Sequence, residues 1–379
     1  MKNIYLIFLI YAFCVGCDNT TYKAQIEEAQ HNIEIYPQRD TLCLSKISTQ
    51  IDILNLNGNM LGEVYDVLCL DDIYIVYSNA YNKMIHIYDK LGNFQKSIVS
   101  KGRANNEILN IDDICFNKYN MTIDILCNYG QYIKSYSFAG DLIKSIKLPE
   151  DTILAAAGLI ATSEDTYLLY KNWGYLDIPE YKLYEYNVNT GKVKNSYIEF
   201  DRTIEEKISF SQNNNIYTSG DYTFFYEVFQ NGIYKIKDNQ LEKYIAFDYG
   251  KYRVPQFFFK KAVDEMDFIK SCMDSNYIWG HINCIAWKNK ILSLYTYHKE
   301  VYLNVADLSD NTSNSYTHIY DDVFTNKVIP ISEFEFISSD DSILYCNYRG
   351  RDDLEKNYIY TLKYLCFQNI SLILYNPLY

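Results

Sequence analysis

A four-strand phrase that returns about every fifty residues constrains this chain more than any other feature. From residue 64, four short runs follow one another: VYDVLCL (64–70), DIYIVYS (72–78), KMIHIYD (83–89) and NFQKSIVS (93–100). Each is rich in β-branched and aromatic residues and is bounded by turn formers, the pattern of a strand. The same order returns as IDDICFN, MTIDILCN, YIKSYSFAG and DLIKSIKLP. Aligning the turn between the third and fourth runs gives Gly92, Gly140, Gly191 and Asn239, at steps of 48, 51 and 48 residues. Glycine and asparagine suit such a turn because both accept left-handed backbone. Four strands cannot bury both faces of their sheet alone, and a stack of such units at this period is a β-propeller.

The next equivalent turn, Asp310-Asn311, comes about 71 residues later. The surplus coincides with VPQFFFKKAVDEMDFIKSCMDS, where Phe259, Ala262, Val263, Met266 and Ile269 fall at helical spacing. This predicts one helical insertion around 256–272 rather than a domain break. A last unit runs from FEFISSDDSILYCNYRG through KNYIYTLKYL to ISLILYN. The expected fold is all-β: a six-bladed β-propeller of four-stranded blades over 33–379, carrying that insertion. Early strands at TLCLSKI and IDILNL are expected to join C-terminal strands and close the ring, which removes exposed sheet edges.

The first seventeen residues, MKNIYLIFLIYAFCVGC, have a Lys at position 2, an apolar run from Ile4 to Phe13 and a small residue before Cys17. That is a secretory signal, too short in its apolar part to span a membrane. CVGC resembles a bacterial lipobox; Val15 and Gly16 fit it, and Cys14 replaces the commoner Leu. Cys17 is therefore the expected lipidation site, and cleavage before it would split Cys14 from Cys17, so the pair is not read as a redox motif. Residues 18–32 read as a polar tether with a helical turn around Ile26 to Ile33.

The stretch 85–108, IHIYDKLGNFQKSIVSKGRANNEI, resembles the blade boundary of the six-bladed β-propeller lipoproteins of the Bacteroidota. Their usual text is a strand, Asp-x-x-Gly, a second strand, and a Gly-x-Gly-Pro-Gly-Glu-like loop. YIAFDYGKYRVP (244–255), HIYDDV (318–323) and NISLILYN (369–376) resemble other segments of that family, so the likeness covers about residues 33 to 376. Here the loop is Lys101-Gly102-Arg103-Ala104-Asn105-Asn106-Glu107, without the Pro and the second Gly. The resemblance implies the architecture and an exported lipoprotein of the outer membrane; it brings no catalytic motif, and the family's members are largely of unassigned function. Asp18-Asn19-Thr20-Thr21 lacks the acidic run that would suggest surface export in such relatives, so a periplasm-facing position is expected.

Lys and Arg number 35 against 48 Asp and Glu, a net charge of −13. A phosphate backbone is repelled by that balance, which excludes nucleic acid as the expected partner. The 40 tyrosines suit half-buried strands. Eight cysteines follow Cys17, mostly in apolar runs, and are expected to be buried free thiols. The five histidines are scattered with no zinc spacing.

Loops running from a blade's outer strand to the next inner strand lie on a face where the channel opens. Lys101, Arg103 and Glu107 are therefore the candidate ligand contacts, with a solvated loop as the plainer reading. Acidic pairs recur at Asp71-Asp72, Asp112-Asp113, Asp321-Asp322, Asp340-Asp341 and Asp352-Asp353. They read first as turn residues, although carboxylates around a channel could bind Ca²⁺. DLSDNTSN (307–314) is oxygen-rich but lacks the Gly and Glu of a calcium loop. Trp173, Trp279 and Trp287 read as inter-blade packing ahead of sugar platforms. There is no G-x-S-x-G and no phosphate loop. The expectation is a lipid-anchored binding module for a glycan, a peptide or a partner protein of the envelope. The alternatives are a propeller-type hydrolase or lyase with a divalent metal in the channel, or a scaffold that docks through the insertion.

Overall fold

Each repeat unit folds as one antiparallel sheet whose strands follow chain order from the centre outward. The structure, a computed structural model, describes residues 29–363 except 49, 59–63, 71, 79–82, 175–179, 201–214, 220–221, 227–230, 238–239, 340–342 and 349–357. Cys17, most of the tether, Asn239, Asp71, Asp340-Asp341, Asp352-Asp353 and the ISLILYN run lie outside the described residues.

Three strands precede the first blade: β1 (His31–Glu34), β2 (Thr41–Cys43) and β3 (Gln50–Asn55). Blade 1 is β4 (Val64–Cys69), β5 (Ile73–Ser78), β6 (Lys83–Asp89) and β7 (Phe94–Ser100). Blade 2 is β8 (Ile111–Asn117), β9 (Thr122–Cys127), β10 (Tyr132–Tyr136) and β11 (Leu142–Lys147). Blade 3 is β12 (Gly158–Ala161), β13 (Thr166–Tyr170), β14 (Tyr181–Asn187) and β15 (Lys192–Glu199). Blade 4 is β16 (Ile216–Ser219), β17 (Tyr222–Tyr226), β18 (Gly232–Lys237) and β19 (Gln240–Asp248). Helices α1 (Gln256–Lys261) and α2 (Glu265–Met273) then lead to blade 5: β20 (Trp279–Trp287), β21 (Lys290–Tyr297), β22 (Glu300–Asp307) and β23 (Thr312–Tyr316). A hairpin of β24 (His318–Asp321) and β25 (Lys327–Pro330) connects to β26 (Phe334–Ser339), β27 (Ile343–Tyr348) and β28 (Tyr358–Lys363) of blade 6.

The outer strand of blade 6 comes from the other end of the chain. β3 pairs antiparallel with β28, Asn55 opposite Tyr358 and Gln50 opposite Lys363. IDILNL thus closes the ring as its sequence implied. TLCLSKI does not: β2 runs parallel to β24, in the connection between blades 5 and 6. The helical turn expected up to Ile33 is also replaced, from His31 onward, by strand. β1 lies parallel on the free edge of β19, His31 opposite Ile245, with Ile33 and Ile35 fully buried. The alternation Ile33, Ile35 is a period of two, and an open sheet edge supplies the missing backbone partners.

The buried residues fall into six clusters that are the six blade-to-blade interfaces. One joins Ile75, Ile85 and Ile87 of blade 1 to Ile114, Ile123 and Ile125 of blade 2. The others join blades 2 and 3, 3 and 4, 4 and 5, 5 and 6, and 6 and 1 in turn. On β5, Ile75 packs toward blade 2 whereas Tyr74 and Val76 pack toward blade 6, so both faces of the sheet are covered. This is why β9 is buried at every position while β11, at the rim, is mostly exposed. Six described cysteines are free, and Cys115, Cys127, Cys272 and Cys284 are buried. Trp287 is buried between blades 5 and 6 as expected, whereas Trp279 is buried under the insertion.

A seventh cluster lies under the insertion, with Phe268 and Cys272 fully buried beside Ala262 and Trp279. The single helical face expected there is broken. Asp264 caps α2 by accepting the Asp267 N–H at 2.8 Å, and this cap resets the helical phase. Val263 and Met266, expected inside, are 79% and 71% exposed; Phe259 and Ile269 are partly buried.

Candidate functional site

In an up-and-down blade, the connections from the outer strand to the next inner strand and from the second strand to the third open on one face. The inner strands β4, β8, β12, β16, β20 and β26 all start there, and neighbouring inner strands approach one another around the channel. The insertion, the 101–110 loop and the starts of these strands therefore share one face.

Inner strands of three blades carry a bulge at their start. The register slips between Val64 and Asp66, between Ile111 and Asp113, and between Trp279 and His281. A bulge turns the next side chain out of the regular alternation, and bulges recur beside functional sites. Two of the three bulges end in an aspartate. Asp113 is fully committed: its carboxylate accepts the Ile114 N–H at 2.9 Å and the Leu159 N–H of blade 3 at 2.6 Å. Asp66 is only 7% exposed and accepts, among the described residues, one hydrogen bond, from the Val67 N–H at 2.7 Å. Burial pushes its carboxyl up to about 7. Asp113 is raised well above the ordinary carboxylate range, first by burial and then by the charges of Asp66 and Asp112. Asp112, raised by burial to about 6, accepts the Gly130 N–H at 2.7 Å and Asn110 Nδ2 at 2.6 Å.

Tyrosines frame these carboxyls. The Tyr77 hydroxyl donates to the Ile111 carbonyl at 3.1 Å, and the ring lies 5.1 Å from that of Tyr65. Burial, then Tyr65 and the three aspartates, hold the Tyr77 phenol protonated. Next to them the turn of blade 2 places Asn128, Tyr129 and Gly130 consecutively in left-handed backbone, at φ 58°, 62° and 66°. A β-carbon at Gly130 would strike the Ala156 backbone, so glycine is required. Tyr129 bears the steric cost of that conformation, about 1–2 kcal/mol, and leaves its ring 68% exposed. Strain held at an exposed aromatic beside buried carboxyls marks this corner of the ring.

The candidates from sequence lie further out. The 101–107 loop is fastened to β10, the third strand of blade 2: Lys134 Nζ donates to the Asn105 and Glu107 carbonyls at 2.8 and 2.7 Å, and the Tyr136 hydroxyl to the Asn106 carbonyl at 3.2 Å. The Glu107 carboxylate accepts the Ala104 N–H at 2.9 Å. Arg103 is exposed and has no ion-pair partner among the described residues. A backbone bridge between Lys101 and Ile108 closes the neck of the loop. Of the acidic pairs, Asp321-Asp322 holds turns as read, Asp321 accepting the Val323, Phe324 and Thr325 N–H groups. Asp112-Asp113 departs from that reading, since both sit on the innermost strand. In DLSDNTSN the carboxylates of Asp307 and Asp310 accept from Ser309 and Thr312 within their own turns.

Two further buried polar groups open on this face or near it. Lys171 and Glu180 form a buried ion pair in blade 3. His281, at the third bulge, stacks on Phe247 at 4.2 Å, and burial presses its imidazole down to about 3, which keeps it neutral. No group of three or more His, Cys, Asp or Glu side chains that could hold a metal ion occurs among the described residues.

A search of curated protein sequences finds none similar to this chain. Among solved structures, a Bacteroides fragilis protein described as exported is 14% identical, covers 89% of this chain and 99% of its own, and superposes with a TM-score of 0.69. A Bacteroides thetaiotaomicron protein of unknown function is 10% identical over 82% of this chain and 72% of its own, with a TM-score of 0.46. The first likeness speaks to the fold alone. Residues 28–363, the whole ring, match the model of one family, and the chain belongs to it: the family described as a domain of unknown function, DUF4934.

Proposed function

We propose that this protein is an exported propeller, lipid-anchored at Cys17 in the outer membrane and facing the periplasm, that binds a peptide or partner protein through a cationic side chain. Export is supported by the apolar leader ending at Cys17 and by the exported B. fragilis protein of the same fold. The observation that carries the binding reading is Asp66, a carboxyl more than nine-tenths buried with one hydrogen bond among the described residues, beside a second buried carboxyl and two tyrosine rings. Burial without a counter-charge raises a carboxyl's pKa, and an ammonium or guanidinium group seated there would reverse that shift. The rings add the face that a desolvated cation prefers.

Binding would therefore release protons near neutral pH. Calorimetric titration of the chain from residue 18 with a lysine-bearing peptide, in buffers of different ionisation enthalpy, reads that release directly. The expected result is saturable binding with proton release, lost on acetylating the lysine and weakened about tenfold or more by Asp66→Asn. Equal binding of the acetylated peptide, or binding of a neutral oligosaccharide instead, would overturn the cationic reading. The anchor is tested separately by the intact mass of membrane-extracted protein, which should begin at an acylated Cys17.

A further inference from the structure

The insertion between blades 4 and 5 leaves the ring at Tyr252 and returns at Ile278, whose N–H donates to the Tyr252 carbonyl at 2.7 Å. Asp274 pairs with Lys299 of blade 5 at 2.8 Å and steadies its far end. Its own core is complete without its outer surface: Phe268 and Cys272 are fully buried, whereas Phe257, Val263 and Met266 are 58%, 79% and 71% exposed. These three large exposed apolar side chains fall within ten residues of one another along the chain.

The first half of the insertion is opposite in charge to the protein, whereas its second half carries Asp264, Glu265, Asp267 and Asp274 with Lys270. Residues 251–263 hold Lys251, Arg253, Lys260 and Lys261 and no acid, in a chain of net charge −13. All four are exposed, and none has an ion-pair partner among the described residues. On α1, Phe257 is followed by lysines three and four residues later, so apolar and basic side chains share one helical face. The nearby acids are engaged locally, Asp264 on the Asp267 N–H and Asp267 on the Val263 N–H.

We infer that this insertion is a membrane-contacting knob, Phe257, Val263 and Met266 entering the headgroup layer of an anionic bilayer while Lys251, Arg253, Lys260 and Lys261 meet its lipid phosphates. The choice of a bilayer over another occupant rests on charge and on where the chain joins the ring, and its second part rests on the proposed anchor at Cys17. Aromatic and aliphatic side chains mixed with lysines are the composition of an interfacial contact. A chain of net charge −13 is repelled by anionic lipid, so the basic face of α1 favours approach at this corner. The chain joins the ring along β19, where Ile35 N–H donates to the Asp248 carbonyl at 2.8 Å, four residues before the insertion departs at Tyr252. Residues 18–28 span at most about 40 Å when extended, enough to let a bilayer holding Cys17 also touch the insertion. One acyl-anchored point leaves a propeller free to swivel; a second contact fixes its orientation.

The test uses the chain from residue 18 made without acylation, which keeps every residue of the ring, in flotation with vesicles of phosphatidylethanolamine and phosphatidylglycerol or of phosphatidylcholine alone. The expected result is co-flotation with the anionic vesicles only, falling as salt is added. Phe257→Ser with Met266→Ser, and separately Lys260→Glu with Lys261→Glu, should each cut the bound fraction about tenfold with an unchanged melting temperature. Failure to float, flotation of either variant undiminished from that of the unsubstituted chain, or self-association through the same residues in sedimentation velocity would each overturn the inference. Because the protein tested carries no lipid, the mass at Cys17 reports on the anchor alone. Acylated Cys17 without vesicle binding defeats the knob, and vesicle binding with an unmodified Cys17 defeats only the anchor.

Discussion

The corner where blades 1 and 2 meet and the corner where blades 4 and 5 meet stand across the ring from each other, on the same face, the first lined by buried carboxyls and the second carrying a run of exposed cations. The first holds Asp66, Asp112 and Asp113 inside the innermost strands, tied to backbone N–H groups of blades 1, 2 and 3. The second holds its cations on an excursion with a core of its own. The difference is between a site made from the fold and a site added to it. Strain and burial at the first corner cannot be relieved without moving strands; the second can change without disturbing the ring.

The sharpest way to break this comparison is to remove one core residue from each side. Ile125 is fully buried between blades 1 and 2, and Ile125→Ala should cost the whole propeller about 3 kcal/mol, read by chemical denaturation. Phe268 is as deeply buried but within the insertion. Phe268→Ala should leave the global midpoint within about 1 kcal/mol and instead accelerate amide exchange across 253–278. Equal global losses would show that the insertion is part of the ring's cooperative unit, and the contrast drawn here would fall.

A smaller effect separates the corners by pH. The Asp66 carboxyl is raised from its ordinary 3.8 to about 7. A raised carboxyl favours the fold while it stays protonated, so its contribution is complete below about pH 4 and is lost as pH climbs through 7. At pH 8 the ionised form costs on the order of 2–4 kcal/mol. Asp66→Asn should therefore raise the melting temperature at pH 8, leave it little changed at pH 4, and flatten the curve between. An unaltered pH profile in the variant would mean that Asp66 is solvated in the native state. The same variant offers Asn Oδ1 to the Val67 N–H, so the existing hydrogen bond is retained.

The blades were legible in the sequence because two signals repeat together: turn residues at Gly92, Gly140 and Gly191, all with φ above +60° in the structure, and the fall from apolar second strands to polar fourth strands. The ring closure by IDILNL was legible because an unpaired last sheet demands a partner. The acidic corner was not read, although a trace of it is there. Asp66 and Asp113 occupy the same place in VYDVLC and IDDICF, one repeat apart. Adjacent acids suggest turns, and the bulge that places these two at the channel has no signature of its own. The helical face of the insertion failed for a different reason: an N-cap at Asp264 splits one apparent period into two helices, and spacing alone cannot count across a cap.

Asp113 sharpens the comparison at a lower level of energy. Its two oxygens accept one N–H from its own strand and one from blade 3. An asparagine has one acceptor oxygen, so Asp113→Asn strands one buried N–H and should destabilise the ring by about 1–2 kcal/mol at neutral pH. The variant is expected to act in the opposite direction to Asp66→Asn, although the two aspartates occupy equivalent places in neighbouring blades. If both substitutions stabilise, the repulsion between the carboxyls outweighs the hydrogen bond that laces blade 2 to blade 3.

The smallest effect lies between the two corners and the 101–107 loop. Arg103 stands exposed on a loop whose order comes from elsewhere, chiefly from Lys134 beneath it. Arg103→Ala should change stability by less than about 0.5 kcal/mol and leave binding of a lysine-bearing peptide at the aspartates unaltered, because a surface side chain without a partner has little to lose. Lys134→Met, by contrast, removes both donors that hold the Asn105 and Glu107 carbonyls and should loosen the loop by about 1–2 kcal/mol, visible as faster amide exchange over 101–108. If Arg103→Ala instead weakens peptide binding, the recognition surface reaches outward along the seam between blades 1 and 2. The loop would then belong to the acidic corner as its cationic rim, and the ligand would have to present carboxylates as well as an amine.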